Sequence, residues 1–190
     1  MTIAFPGYSM PAGSFDVPLE MLAACHRRVE RQCATLRHLV PHLAAHGADS
    51  QAREAAQAVI RYFDTAARDH HADEEEDLFP ALLEVAAESD AGRVREMTGV
   101  LCAEHVELGR HWDAIRRQLE GVLRGESSMS ADGVAAFAAL YERHISFEES
   151  QLLPLACRLL GKNHLERIGS AMLRRRRLSA SGVADPRPPG

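Results

Sequence analysis

One eleven-residue phrase occurs twice in this chain and limits the folds that the chain can adopt. Residues 70–80 read HHADEEEDLFP, and residues 144–154 read HISFEESQLLP. Residues four apart lie on the same face of an α-helix, so each copy places a histidine beside the first of two glutamates. The proline that ends each copy, Pro80 or Pro154, is expected to kink or end its helix. The repeat therefore predicts two helices that supply the same pair of polar groups.

The apolar residues between residues 18 and 160 recur every three or four positions, which is the pattern of amphipathic helices facing a core. Segments rich in Gly, Ser and Asp at residues 46–50, 88–92 and 124–130 separate four helical stretches. Short connections make successive helices antiparallel. We therefore predict an all-α fold, an up-down-up-down antiparallel four-helix bundle.

The regions outside residues 18–160 are expected to be small. Residues 1–17 predict an extended lead-in, residues 161–177 a short C-terminal fifth helix, and residues 178–190 a disordered tail. The chain shows neither a signal-peptide pattern nor an apolar run long enough to span a bilayer, so we expect a cytoplasmic protein that is not membrane-bound. A net charge of −5 gives no basic signal for nucleic acid.

Four histidines occupy core positions of the four predicted helices: His26, His70, His105 and His144. In an antiparallel hairpin, two residues at the same level lie equally far from the turn. The midpoints of successive pairs, 48, 87.5 and 124.5, fall in or at the edge of the three predicted connections. The sequence therefore predicts that one histidine from each helix lies at about the same level in the core.

Glu74 and Glu148 share the core face with His70 and His144, because each lies four residues after its histidine. Burial of a carboxylate costs several kcal/mol, of order 3, unless it is paired or binds a metal. Mixed nitrogen and oxygen ligands without thiolate suit iron, manganese or zinc. Two glutamates from two helices can bridge two ions, so the repeated phrase predicts a buried two-metal centre.

The segments CHRRVERQ, HHADEEEDLFP, EHVELGRHW and HISFEESQLLP resemble the hemerythrin-like HHE cation-binding domain family over roughly residues 18–158. The resemblance implies a non-heme di-iron centre, with two iron ions per chain and an oxo or hydroxo bridge. It also implies that the centre meets dioxygen, another small diatomic ligand or peroxide. By matching motifs, the implied ligands are His26, His70, Glu74, His105, His144 and Glu148.

One ligand position departs from the family pattern. The oxygen carriers of the family have two histidines four residues apart on the third helix, whereas Leu101 and Gly109 flank His105 at that spacing. His71 lies about 100° around its helix from His70 and could reach the second ion instead. The alternative is an open coordination position, which favours reactivity.

Three classes of function are consistent with these expectations. The first is di-iron binding with oxygen-linked chemistry, as in a protein that binds or senses dioxygen or nitric oxide, and we favour it. A sensor with no output domain would need a protein partner, or would act as a homo-oligomer. The second is an enzyme that removes peroxide or repairs oxidative damage. The third is iron storage or delivery, which two ions per chain make less suitable.

Alternatives remain for the neighbouring residues. His71 with Glu75 is a possible metal-binding pair in place of His70 with Glu74. Asp73 and residues 75–77 are interpreted as a solvated face, with iron delivery as the alternative.

Two further clusters have open interpretations. His38, His42 and His46 lie four apart along one helix face and could form a second metal site, although solvent exposure is the simpler expectation. The arginine run at residues 174–177 either contacts an anionic partner or is a bare helix end.

Overall fold

The structure is a computed structural model that describes residues 17–180, and these residues form helices without any strand. The α-helices are α1 Pro18–His46, α2 Ser50–Asp64, α3 Ala66–Ala72, α4 Phe79–Val85, α5 Glu88–Leu123, α6 Ala131–Phe147, α7 Leu153–Leu159 and α8 Lys162–Ala180. Two π-helical turns, π1 Asp73–Leu78 and π2 Glu148–Leu152, join α3 to α4 and α6 to α7. The predicted lead-in before residue 17 and the predicted tail beyond residue 180 lie outside the described residues.

The helices pack into a bundle, as predicted. α1 contacts α2 and α6, and α5 contacts α2, α4 and α6, so these elements enclose a common core. α8 packs across α1, α3 and π1. It ends at Ala180, so residues 178–180, which we assigned to a disordered tail, belong to this helix. Across residues 17–180, no helix is both long enough and apolar enough to cross a bilayer.

Two of the three connections lie where the sequence predicts them. Gly47 follows α1 with φ 70, and Gly125 follows α5 with φ 98, a left-handed conformation that glycine adopts without a steric penalty. The side chain of Asp49 caps α2, and the side chain of Ser130 caps α6, each by accepting a backbone hydrogen bond. These caps satisfy N–H groups that a helix start leaves without partners.

The prediction of a loop at residues 88–92 is wrong, because this segment forms the first turns of α5. The chain leaves α4 at Val85, and α5 begins at Glu88. Glu88 and Asp90 place negative charge at the positive end of the helix dipole, which stabilises a helix start. Gly92 has open space around it, so a side chain at this position would make no contact. Acidic residues and glycine here mark a helix N-terminus rather than a loop.

Pro80 and Pro154 interrupt their helices in the same way. Each stands in the first turn of a new α-helix, directly after π1 or π2. Proline has no backbone N–H for a helical hydrogen bond, and in both copies it lies two residues after the end of the π-helical turn. The two copies of the repeated phrase thus form the same local structure.

Two apolar clusters fill the bundle on either side of a polar layer. On α5, Leu101 belongs to one cluster and Leu108 to the other, with the buried His105 between them. On α1, Cys25 and Val29 are divided between the clusters in the same way. The polar layer is therefore enclosed by apolar side chains.

Buried ion pairs that the sequence did not predict attach α8 to π1. Asp73, which we assigned to a solvated face, is fully buried, and both Arg175 and Arg176 donate hydrogen bonds to its carboxylate. Arg175 also donates to Glu76 at 2.7 Å and to Asp77 at 2.9 Å. These two arginines therefore bind acidic residues of their own chain, which differs from both the anionic partner and the bare helix end considered above.

Replacing Asp73 with asparagine is expected to weaken the attachment of α8. The change removes the carboxylate shared by two partly buried guanidinium groups, and a hydrogen bond to a charged group contributes about 1.5–3 kcal/mol. Urea unfolding of the metal-free protein measures the change in the free energy of unfolding. Glu142→Gln is the control, because it breaks an exposed pair with Arg37 and should cost less than about 1 kcal/mol. Equal midpoints for Asp73→Asn and the parent protein would contradict the role of this pair.

Candidate metal centre

The structure brings the predicted ligand residues together in the polar layer. The contributing residues are His26 on α1, His70 and His71 on α3, Glu74 on π1, His105 on α5, His144 on α6 and Glu148 on π2. All except His71 are buried, and His71 is partly buried. Within each of three overlapping groups, the possible ligand atoms all lie within 4.8 Å of one another.

Two of the groups that could hold a metal ion share their glutamates. The first group contains His26 and His70 together with both glutamates. The second group contains His105 and His144 together with the same two glutamates. The carboxylates are therefore shared, and the histidines are divided between the two groups.

Glu74 directs one carboxylate oxygen towards each group. Its Oε1 lies 3.5 Å from Nε2 of His70, and its Oε2 lies 3.3 Å from Nε2 of His105. Burial, followed by the nearby charge of Glu148, raises the pKa of the Glu74 carboxyl well above its usual range. In the absence of a cation, this carboxyl is therefore expected to hold a proton.

Glu148 has the same bridging orientation. Its Oε2 lies 3.0 Å from Nε2 of His26, and its Oε1 lies 3.2 Å from Nε2 of His144. Burial raises the pKa of the Glu148 carboxyl, but the contacts with His144 and His26 outweigh burial and hold this pKa well below its usual range. Each glutamate thus presents one oxygen to a histidine of the first group and one to a histidine of the second group.

Three of the histidines bind a further carboxylate through their outer ring nitrogen. The Nδ1 to carboxylate oxygen distances are 3.0 Å for His26 and Glu149, 2.6 Å for His105 and Glu75, and 2.9 Å for His144 and Glu104. A carboxylate only accepts hydrogen bonds, so Nδ1 carries the proton in each pair. In the neutral ring, Nε2 then keeps a lone pair directed to the interior, which is how protein histidines are oriented for metal binding.

The outer carboxylates explain why the repeated phrase has two consecutive glutamates. The first glutamate of each copy faces the centre, and the second reaches a histidine on a different helix: Glu75 reaches His105, and Glu149 reaches His26. Glu75 is 43% exposed, so it does not occupy the interior position that the His71 and Glu75 alternative required. Our sequence analysis missed this role, although the doubled glutamate was its signal.

His71 lies beside the second group. Its ring stacks on that of His105 with centroids 4.0 Å apart, and it forms a possible ligand group with His105 and His144. Burial lowers the pKa of His70 and His71 well below the usual value for histidine, so both rings are neutral at physiological pH. A neutral ring has the lone pair that a metal ion requires.

The polar layer has the unpaired atoms that a bound cation would satisfy. Eight buried side-chain nitrogen and oxygen atoms of the described residues lack a hydrogen-bond partner. They include His70 Nδ1, His71 Nε2 and both carboxylate oxygens of Glu74. Such atoms are costly when left without partners, and cations with nitrogen and oxygen ligands remove that cost.

One contact in the second group also indicates that a cation would stabilise the polar layer. The Nε2 atoms of His105 and His144 lie 3.2 Å apart, and the Nδ1 atom of each ring donates to its own carboxylate. If neither Nε2 atom carries a proton, both have lone pairs, which repel each other. A cation between them turns this repulsion into coordination, so the donor set fits a metal ion.

Comparison with known proteins identifies the chain. The model of the family described as Hemerythrin HHE cation binding domain matches residues 17–156. The chain belongs to this hemerythrin HHE family. It is also 32% identical over 167 residues to an uncharacterized protein of Haemophilus influenzae, an alignment that covers 87% of this chain and 93% of that protein. Membership of a cation-binding family, together with the histidine and glutamate groups, makes this a metal-binding protein.

This hemerythrin HHE domain has no place on α5 for a second histidine near His105. Leu101 is fully buried in an apolar cluster, and Gly109 is exposed with open space around it. His71 instead comes from the second helical stretch and stacks on His105. Of the two alternatives for this position, the geometry favours His71 beside the second group.

The second metal site considered at His38, His42 and His46 does not form a ligand group within residues 17–180. His42 Nε2 lies 3.0 Å from Asp49, whose carboxylate also caps α2. The rings of His42 and His46 contact each other with centroids 4.8 Å apart. His42 therefore supports the start of α2.

Replacing Glu149 with glutamine is expected to weaken metal binding about 10- to 100-fold, the usual effect of removing a carboxylate that orients a histidine ligand. Glutamine keeps the size of the side chain but does not hold the His26 Nδ1 proton as a carboxylate does. Competition with a chromophoric chelator measures the affinity. Glu142→Gln, which alters an exposed carboxylate away from the centre, should keep the parent affinity. Identical affinities in both variants would show that Glu149 does not orient His26.

Proposed function

We propose that this protein binds two non-heme iron ions, joined by an oxo or hydroxo bridge, and through them interacts with dioxygen or related small oxidants. The observation that carries this proposal is that Glu74 and Glu148 each direct one oxygen to each of two histidine groups. The donor set contains nitrogen and oxygen and no thiolate, which suits iron. When bound, the iron pair would supply electrons and a position at which a small oxidant coordinates.

The proposed ligand assignment follows the two groups. His26 and His70 would hold the first ion, His71, His105 and His144 would hold the second, and Glu74 and Glu148 would contact both. The first ion would therefore receive fewer imidazoles than the second. An open coordination position for a small ligand would accordingly be on the side of His26 and His70.

The open position would lie beside His26 and His70, which the surrounding protein holds in place. Glu149 fixes the ring of His26, and His70 is fully surrounded by protein, so the orientation of both imidazoles is set before a ligand arrives. The apolar clusters on either side of the polar layer exclude bulk water and large molecules. Small neutral ligands such as dioxygen, nitric oxide and hydrogen peroxide remain as candidates.

The proposal includes the up-down-up-down order of the four helical stretches. Support comes from the short connections after α1 and α5 and from the contacts of α1 with α2 and α6 and of α5 with α2 and α6. Residues 18–160 would form the metal-binding bundle, and α8 would cover it. A sensing role would pass its signal through a protein partner or a second copy of the chain.

An enzyme that removes peroxide is the second candidate, because an open position beside His26 and His70 suits reaction as well as binding. Iron storage or delivery has less support, because a centre for two ions enclosed by apolar clusters offers small capacity and slow exchange. Dioxygen binding, peroxide removal and iron delivery differ in what becomes of the oxidant and of the iron.

The test loads the protein with ferrous iron under low oxygen, counts iron per chain, and follows the oxo-bridged ferric spectrum after adding dioxygen or hydrogen peroxide separately. Two ions per chain and a spectrum that reverses on removing dioxygen would support binding or sensing. Evolution of dioxygen from peroxide with recovery of the protein would support the enzyme. Steady loss of iron would favour delivery, and less than one ion per chain would contradict the di-iron proposal.

A further inference from the structure

An aromatic ring stands next to the proposed ligands of the second ion. The ring centroid of Tyr141 lies 6.2 Å from that of His71 and 6.4 Å from that of His144. The tyrosine is buried among apolar side chains, where burial raises the pKa of its phenol well above the usual value. The phenol is therefore neutral and keeps its proton in the resting protein.

Two phenylalanines connect Tyr141 to the only tryptophan in the chain. Phe63 lies 5.7 Å from Tyr141 and 4.8 Å from Trp112, measured between ring centroids. Phe137 lies 5.1 Å from Tyr141 and 6.1 Å from Trp112. Aromatic rings in contact with one another therefore form a continuous row from the polar layer to Trp112.

Trp112 ends this row near the surface with a proton acceptor in place. Its indole Nε1–H donates a hydrogen bond of 2.9 Å to Asp64 Oδ1. Asp64 is 31% exposed, and Arg116 donates to the same carboxylate. The carboxylate is therefore held against the indole and still reaches solvent.

We propose that Tyr141 and Trp112 form an electron relay that supplies electrons from the protein surface to the metal centre when the centre meets hydrogen peroxide. The inference rests on the proposed function, because the relay needs a redox-active centre beside His71 and His144. Tyrosine and tryptophan are the aromatic side chains that lose an electron most readily. The phenyl rings of Phe63 and Phe137 fill the gap between them, and electron transfer is fast only over short, well-packed distances.

The relay needs two co-reactants, an oxidant and a reductant, for its electrons and protons to balance. Hydrogen peroxide is the oxidant, and two electrons with two protons convert one molecule into two molecules of water. Tyr141 gives one electron and its phenol proton to the centre in each of two turns, and it regains an electron from Trp112 and a proton from solvent. The Nε1 proton of the oxidised indole moves to the Asp64 carboxylate. A one-electron reductant at the surface, such as ascorbate, restores the indole, which takes its proton back from Asp64, and the oxidation of the reductant releases to solvent the proton that Tyr141 takes up.

Aromatic packing alone would make a different prediction. If these rings only fill the core, then removing the Tyr141 hydroxyl and keeping its ring should not alter where the protein is oxidised. If the relay operates, the same change removes the first redox-active ring and protects Trp112 from oxidation. The hydroxyl is therefore the atom that separates the two explanations.

The experiment first oxidises the iron-loaded full-length protein to the ferric state, so that iron no longer supplies the electrons, and then adds equimolar hydrogen peroxide in the absence of a reductant. Trp112 is the only tryptophan, so mass spectrometry of oxygen addition to tryptophan, after removal of the iron, reports on this residue without ambiguity. Electron paramagnetic resonance of rapidly frozen samples detects the aromatic radicals. The variants are Tyr141→Phe and, as matched control, Tyr62→Phe, which lies 5.2 Å from Phe63 and shows no ring contact with the histidines of the polar layer.

The relay predicts that Trp112 is oxidised in the parent protein, several-fold less in Tyr141→Phe, and equally in Tyr62→Phe, with ascorbate protecting Trp112 throughout. Normal iron content and peroxide consumption with intact Trp112 would overturn the relay and leave the proposed function standing. Equal Trp112 oxidation in Tyr141→Phe and the parent would also overturn the relay. Failure to bind iron would overturn the proposed function and the relay with it, whereas failure of the iron-loaded protein to react with peroxide would overturn the relay alone.

Discussion

Replacing Glu148 with alanine is expected to remove both metal ions from the protein. The two oxygens of this carboxylate lie 3.0 Å from His26 and 3.2 Å from His144, which belong to different ligand groups. The substitution therefore takes one ligand from each proposed ion and also removes the negative charge that offsets both. Metal content per chain, measured after desalting of metal-loaded protein, should fall to the background level.

Two further variants make this result specific. His105→Ala removes a ligand from the second group only, so it should halve the bound metal or abolish binding, and in no case retain more than half. Glu142→Ala alters a carboxylate that is 61% exposed and pairs only with Arg37, so it should leave metal content unchanged. Full metal occupancy in Glu148→Ala would refute the shared-carboxylate assignment.

The common level of the four core histidines could be derived from the sequence because it depends only on helix periodicity and on where the chain reverses. The four histidines lie close together even though one connection was predicted in the wrong place. We placed that connection at residues 88–92, whereas α4 ends at Val85 and α5 begins at Glu88. The middle of the observed break, between residues 86 and 87, lies closer to 87.5, the midpoint of His70 and His105, than the middle of the predicted loop does. The midpoint of the two histidines therefore located this connection more accurately than the Gly, Ser and Asp content of residues 88–92 did.

The outer carboxylates could not be derived in the same way. A helix with 3.6 residues per turn places Glu75 well away from Glu74, towards solvent. Both residues lie in π1, where the turn is wider. Its partner, His105, lies on another helix, and no pattern within a single helix contains that contact. The position of His71 depended on the same kind of packing between helices and stayed open for the same reason.

The burial of Asp73 is a second feature that could not be predicted from the sequence. A run of acidic residues ordinarily indicates a solvated face, and residues 75 and 76 are indeed exposed. Asp73 is buried because α8 crosses π1 and brings Arg175 and Arg176, more than 100 residues further along the chain, onto its carboxylate. Charge patterning describes a helix in isolation, and this contact exists only after a distant helix has docked.

Metal removal is expected to lower the thermal midpoint of unfolding substantially. A ligand that binds only the folded state at about a thousand times its dissociation constant stabilises that state by roughly 4 kcal/mol. For a chain of this size, about 1 kcal/mol corresponds to a shift of roughly 2–4 °C, so one bound ion accounts for about 8–16 °C and two ions for more. Calorimetry of metal-loaded and chelator-treated protein measures the difference.

The structural reason for that difference is that the metal-free polar layer depends on protons in place of cations. Burial lowers the pKa of His26, but the carboxylates of Glu148 and Glu149 outweigh burial and raise it to about 10, so this ring is charged when no metal is bound. A charged imidazole interacts only with the carboxylates that it contacts, and the unpaired atoms of His70 and His71 gain nothing from it. In Glu148→Ala, chelator treatment should therefore leave the thermal midpoint unchanged, because the metal-dependent part of the stability is already lost. A large chelator effect in that variant would mean that the stabilising ions bind outside the polar layer.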